Sequence, residues 1–136
     1  MNKMYSHGYY KDLFMQLLNR EELGYETTAK WITVTLCSRQ LDSVETVVYL
    51  RGRLLTFTCQ KLLVVSDAQL PKAYLLLNEL NRDYPDIKFT LEGSAVCMTL
   101  HSFILKEKMV CQCLLILRRL TDILDRAYPK MKLVLK

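Results

Sequence analysis

LPKAYLLLNELNRDYPDIKFTLEGSAVCMTLHSFI, residues 70–104, sets out a helix, a strand, a turn and a second strand, each with its own punctuation. Pro71 sits in a first helical turn, where a missing N–H costs nothing. Ala73, Leu76, Leu77, Leu80 and Tyr84 then recur at three- and four-residue spacing, one face of a helix over 73–84. Pro85 disfavours the helical state in Tyr84 and stops it. Ile87, Phe89 and Leu91 alternate with Lys88, Thr90 and Glu92, a half-buried strand. Glu92-Gly93-Ser94 is a turn, and residues 95–104 return as the second strand of a hairpin. A long amphipathic helix over about 108–128 follows. Its apolar face runs from Val110 through Cys113, Leu114, Leu117, Leu120, Ile123 and Leu124 to Ala127.

Upstream, residues 6–22 predict a first helix with Tyr10, Leu13, Phe14, Leu17 and Leu18 on one face, Ser6 as N-cap and Gly24 as stop. Residues 25–28 are short and extended. Residues 31–37 form a strand with Ile32, Val34 and Leu36 on an aliphatic face, and Trp31 as a cover for the sheet edge. Residues 44–50 and 53–59 pair around Arg51-Gly52, where glycine supplies the positive φ of a hairpin loop. Residues 62–65 either extend this strand past a bulge or form a linker. After Pro129 the tail alternates, and residues 131–135 could form a short edge strand. The order is α-β-β-β-α-β-β-α, with a possible fourth short strand before the middle helix. This is an α+β fold with a mainly antiparallel sheet, expected to be one domain over residues 1–136.

The 136 residues, 51% hydrophobic and 24% charged, are enough for an independent core. No apolar run reaches the ~18 residues of a membrane span, and the first ten residues lack an apolar signal core, so a cytoplasmic protein without a membrane role is expected. Cys37, Cys59, Cys97, Cys111 and Cys113 lie among apolar neighbours without metal-ligand spacing. They are expected to be reduced and metal-free.

Residues 1–102 hold 11 basic and 11 acidic side chains, whereas residues 103–136 hold 8 and 3, which accounts for the whole net charge of +5. Lys106, Lys108, Arg118, Arg119, Arg126, Lys130 and Lys132 therefore form a candidate basic patch for nucleic acid or another acidic partner. On the last helix, Arg118–Asp122 and Asp122–Arg126 have the spacing of surface ion pairs.

Catalytic groups are sparse. Cys97 and His101 share a strand face but stand ~13 Å apart along an extended chain, beyond the reach of a nucleophile and its base. The four glycines are dispersed, so no phosphate loop exists. Asp83 and Asp86 flank Pro85 without forming a recognisable acid–base pair. No single strand interleaves aromatic residues with arginines as a single-strand nucleic-acid platform would. No enzyme activity and no cofactor are expected.

Leu70-Pro71, Leu77-Asn78-Glu79-Leu80-Asn81, Tyr84-Pro85-Asp86-Ile87-Lys88-Phe89, the hairpin, and a helix ending Asp125-Arg126-Ala127-Tyr128-Pro129 together resemble the YbjN family, described as candidate bacterial sensory-transduction regulators. The resemblance follows element order over nearly the whole chain; residues 38–65 align by order alone. It implies a fold similar to the class I type III secretion chaperones, and a non-enzymatic, chaperone-like or regulatory protein-binding module, often dimeric. It also implies that Asn78 and Asn81 cap the helix end or the loop beyond it. The middle helix carries Tyr74, Leu75, Leu76, Leu77 and Leu80 around more than half its circumference, more than one sheet can cover. A homodimer is expected, with Tyr74 and Leu75 of the helix, or Val96, Met98 and Leu100 of the hairpin, at the interface. The protein partner is unidentified.

Overall fold

The structure, a computed structural model, describes residues 7–135. Among these residues the order is α1 (His7–Arg20), β1 (Tyr25–Thr27), β2 (Ile32–Leu36), β3 (Val44–Arg51), β4 (Leu54–Val64), α2 (Leu70–Asp83), β5 (Lys88–Glu92), β6 (Ala95–Phe103) and α3 (Met109–Leu135). The strands form one antiparallel sheet in the order β1-β2-β3-β4-β6-β5. The α+β class and element order agree with the sequence. The short extended residues after α1 form one further strand, β1.

Alternation decides which face is covered. Ile32, Val34, Leu36, Val48, Leu55, Phe57, Val96, Met98 and Phe89 point to one side and are buried with the apolar faces of all three helices. The opposite side carries Thr33, Val47, Tyr49, Thr58, Thr99 and His101, which are half-buried or exposed. Helices therefore cover one face of the sheet and leave the other open. Phe14 of α1 sits at the centre of the covered side, stacked on Trp31 at 5.5 Å and edge-on to Phe57 at 6.1 Å. Trp31 is thus part of the core and not a cover for the sheet edge. It turns inward just before β2, where its N–H is held by Thr28 Oγ1 at 3.2 Å. Its indole N–H is buried and finds no partner among the described residues. That desolvation costs about 1–3 kcal/mol, which stacking and burial must outweigh.

Residues 62–64 continue β4 beyond a bulge, and Val65 follows the strand. The register with β6 shifts between Cys59 and Leu63, and Lys61 takes φ 52° to make the step. The predicted edge strand at residues 131–135 does not form. α3 runs through Pro129 to Leu135, because Leu124, Ala127, Met131 and Leu135 continue the helical period and are all buried. Gln69, at the start of α2, donates from Nε2 to the Leu135 carbonyl and ties the two helices together.

Gly24 is not the stop of α1. Glu22 takes the left-handed conformation at φ 58°, with its N–H donating to the Asn19 carbonyl and the Leu23 N–H to the Leu18 carbonyl. This is a Schellman turn built on a residue with a Cβ. Relief of the left-handed strain, ~1–2 kcal/mol, exceeds the extra entropy that glycine loses. Glu22→Gly should therefore raise the unfolding free energy by about 0.5 kcal/mol or more, measured by urea denaturation. The N-cap assigned to Ser6 lies outside the described residues.

Candidate functional site

Helix α2 begins with a capped turn. Gln69 Oε1 accepts from the Ser66 N–H at 2.9 Å, and Pro71 occupies the first turn. The helix turns Ala73, Leu76, Leu77 and Leu80 into the core. Its other side leaves Tyr74 57% and Leu75 70% exposed. Leu75 and Leu76 line a groove of about 480 Å³ whose far wall is Val134 of α3, with Lys72, Glu79 and Arg82 at its rim. The predicted apolar excess on this helix is therefore present at Tyr74 and Leu75. Val96, Met98 and Leu100 are not available to a partner. They lie on the covered face of β6, at most 7% exposed, because the helices pack on the parity that holds them. The outward set of that strand is Cys97, Thr99, His101 and Phe103, of which Phe103 is 69% exposed.

The cations of the C-terminal third are dispersed along α3, a helix about 40 Å long, and several are engaged by carboxylates. Arg119 holds Asp86 in a two-pronged pair at 2.9 and 3.0 Å and lies over the Tyr84 ring. Lys130 reaches Glu79 at 3.0 Å and Asp83 at 3.9 Å. Arg126 pairs with Asp122 as its spacing predicts, but the second partner of Asp122 is Arg119, not Arg118. Lys132 lies over Tyr128. Lys106 and Lys108 lie in the turn that precedes the helix. These contacts fasten α3 to α2 and to the start of β5.

The hydrogen bond from Arg119 holds the Asp86 carboxyl below its ordinary range. A depressed carboxyl stabilises the fold above its unfolded pKa, and that contribution is lost as pH falls through the lowered value. With both side chains more than a third exposed, the pair is worth only about 0.2–1 kcal/mol.

Asn78 is exposed on α2, whereas Asn81 leaves the helix for the sheet. Its Oδ1 accepts from the Phe89 N–H at 2.6 Å and its Nδ2 donates to the Phe89 carbonyl at 3.1 Å. β5 is an edge strand, and the Asn81 amide occupies the place a neighbouring strand would take. Both asparagines lie within α2, and Asn81 does not cap the helix end or the loop, contrary to what the resemblance implies, but bonds to Phe89 within β5.

Cys97 and His101 make no nucleophile–base contact. His101 Nδ1 is hydrogen-bonded to Thr56 Oγ1 across the ladder at 3.0 Å. Burial pushes the Cys59 thiol up to about 11 and the Cys113 thiol to about 12, so both stay protonated at neutral pH. Among the described residues no three side chains of His, Cys, Asp or Glu gather where a metal could sit, and no helix is long and apolar enough to cross a membrane. A shallow concavity of about 370 Å³ on the open sheet face, lined by Lys30, Val47, Tyr49, Lys61 and Cys97, was not legible in the sequence. Alternation gives the face of each residue, but not which strands become neighbours.

No family model and no curated protein matches the sequence. Among solved structures, the chain is similar to the crystal structure of YbjN from E. coli, described as a candidate transcription regulator. The TM-score is 0.67 at 11% identity, over 89% of this chain and 90% of that one. The chain therefore has the YbjN fold, as the short motifs around residues 70–89 imply.

Proposed function

We propose that this protein is a non-enzymatic, chaperone-like regulatory module that binds proteins through the exposed side of α2 and self-associates there as a homodimer. The observation that carries this reading is the exposed pair Tyr74 and Leu75 beside the α2–α3 groove. Two large side chains left in water, of which Leu75 also lines the groove, mark a contact surface, and two-fold pairing would bring the same surface onto both partners. The likeness to YbjN, a protein described as a candidate transcription regulator, supports it. Light scattering at micromolar concentration should give about twice the 15.9 kDa of one chain, and Leu75→Glu should return it to one. A monomeric mass that Leu75→Glu leaves unchanged would remove both the dimer and the choice of helix.

A further inference from the structure

We propose that one end of the open sheet face binds single-stranded nucleic acid, with Phe103 and His101 as stacking platforms and Arg51 as a phosphate contact. The juxtaposition comes from strand register. Arg51 pairs with Leu54, and Leu54 with Phe103, which makes one row across β3, β4 and β6. The next row is Tyr49, Thr56 and His101. Three rings and a guanidinium from two non-adjacent strands therefore share one patch of sheet.

Phe103 is 69% exposed, an unusual position for phenylalanine unless something covers it. His101 is exposed and its ring is fixed by Thr56. The Arg51 guanidinium lies 5.8 Å from the Tyr49 ring centroid, so the cation is held over the same patch. His101 and Phe103 are two residues apart, about 6.8 Å along the strand. That is roughly twice the ~3.4 Å rise of a duplex strand, a spacing suited to consecutive bases of an extended single strand.

Charge fits the same occupant. Lys88 lies beside Thr99 in the following row, on the same face as the rings. The acids of the open face, Glu26, Glu45 and Glu92, sit on β1 or in rows beyond the aromatic end. Base faces for the rings and phosphates for the cations are the two halves of single-strand recognition. A sheet that offers rings to unstacked bases has no equivalent hold on a duplex, whose bases are already stacked. This surface is separate from the paired cations of α3 and from the exposed side of α2.

Fluorescence anisotropy of the full chain with short, end-labelled oligonucleotides of mixed sequence tests the assignment. Single-stranded RNA and DNA form two arms and a duplex a third. Binding is expected in at least one single-strand arm, and at least about tenfold weaker for the duplex. Phe103→Ala should weaken it about tenfold or more, with thermal unfolding unchanged because the ring is exposed. Arg51→Gln should lower the slope of log affinity against log salt by about 0.7, one phosphate of a single strand. Arg118→Gln combined with Lys132→Gln should leave affinity as it is. No binding in any arm, equal binding of the duplex, or affinity indifferent to Phe103→Ala in a folded protein would each overturn the proposal.

Discussion

Pro129→Ala should raise the unfolding free energy by about 1–3 kcal/mol, an unusually large gain for an exposed surface position. Pro129 stands inside α3, six residues before its end. It has no N–H to give to the carbonyl four residues earlier, that of Asp125, and its ring crowds that carbonyl. Alanine restores the bond and removes the crowding. Proline's restriction of the unfolded chain returns only ~0.4–1 kcal/mol of that gain. The helix tolerates the proline because Met131 and Leu135, the next positions of its apolar face, are 0% and 4% exposed. Met131→Ala should accordingly cost about 2–5 kcal/mol. Urea denaturation of the two variants decides the matter. If residues 131–135 were a frayed tail or an exposed edge strand, neither substitution would move the midpoint.

Asn81→Leu should lower stability by about 2–3 kcal/mol and make the protein associate at rising concentration. Asn81 answers both backbone groups of Phe89 on the outer side of β5. Leucine leaves that N–H and carbonyl unpaired in a half-buried place, where each carries a desolvation cost. The same change reopens an edge that another chain can extend, with Phe89 and Leu91 next to it. Asn81→Asp separates the two halves. It keeps the acceptor for the Phe89 N–H but sets a carboxylate against the Phe89 carbonyl, so it should weaken the fold without fully opening the edge. Denaturation combined with light scattering would show assemblies larger than a dimer for Asn81→Leu alone. An Asn81→Leu protein as stable as the parent, with unchanged mass, would rule out the role.

The middle helix shows how far sequence reading reaches toward a site. Its leucines at 75, 76 and 77 are chemically alike, and spacing alone identified an excess over one face. The structure assigns Leu76 and Leu77 to the core and leaves Leu75 at 70% exposed, because α3 and β5 approach from one side only. The hairpin was harder. Alternation separated Val96, Met98 and Leu100 from Cys97, Thr99 and His101 correctly, but it carries no sign, and the apolar set is the one the helices cover. Arg51 and Phe103 were invisible as a pair, since 52 positions separate them and they meet only through Leu54.

By itself the sequence determined what depends on neighbours within a few residues: the start of α2 at Leu70-Pro71, its end before Pro85, the turn at Gly93 and the period of each apolar face. Those features follow from backbone sterics and side-chain periodicity, which act locally. The tertiary structure decided the matters in which burial outweighs local preference. It carried α3 through Pro129, placed left-handed conformations on Glu22 and Lys61, and sent Asn81 to the edge of β5. It also left one face of the sheet open. A local penalty of about 3 kcal/mol or less is offset by two or more fully buried apolar side chains, and only packing shows which side chains those are.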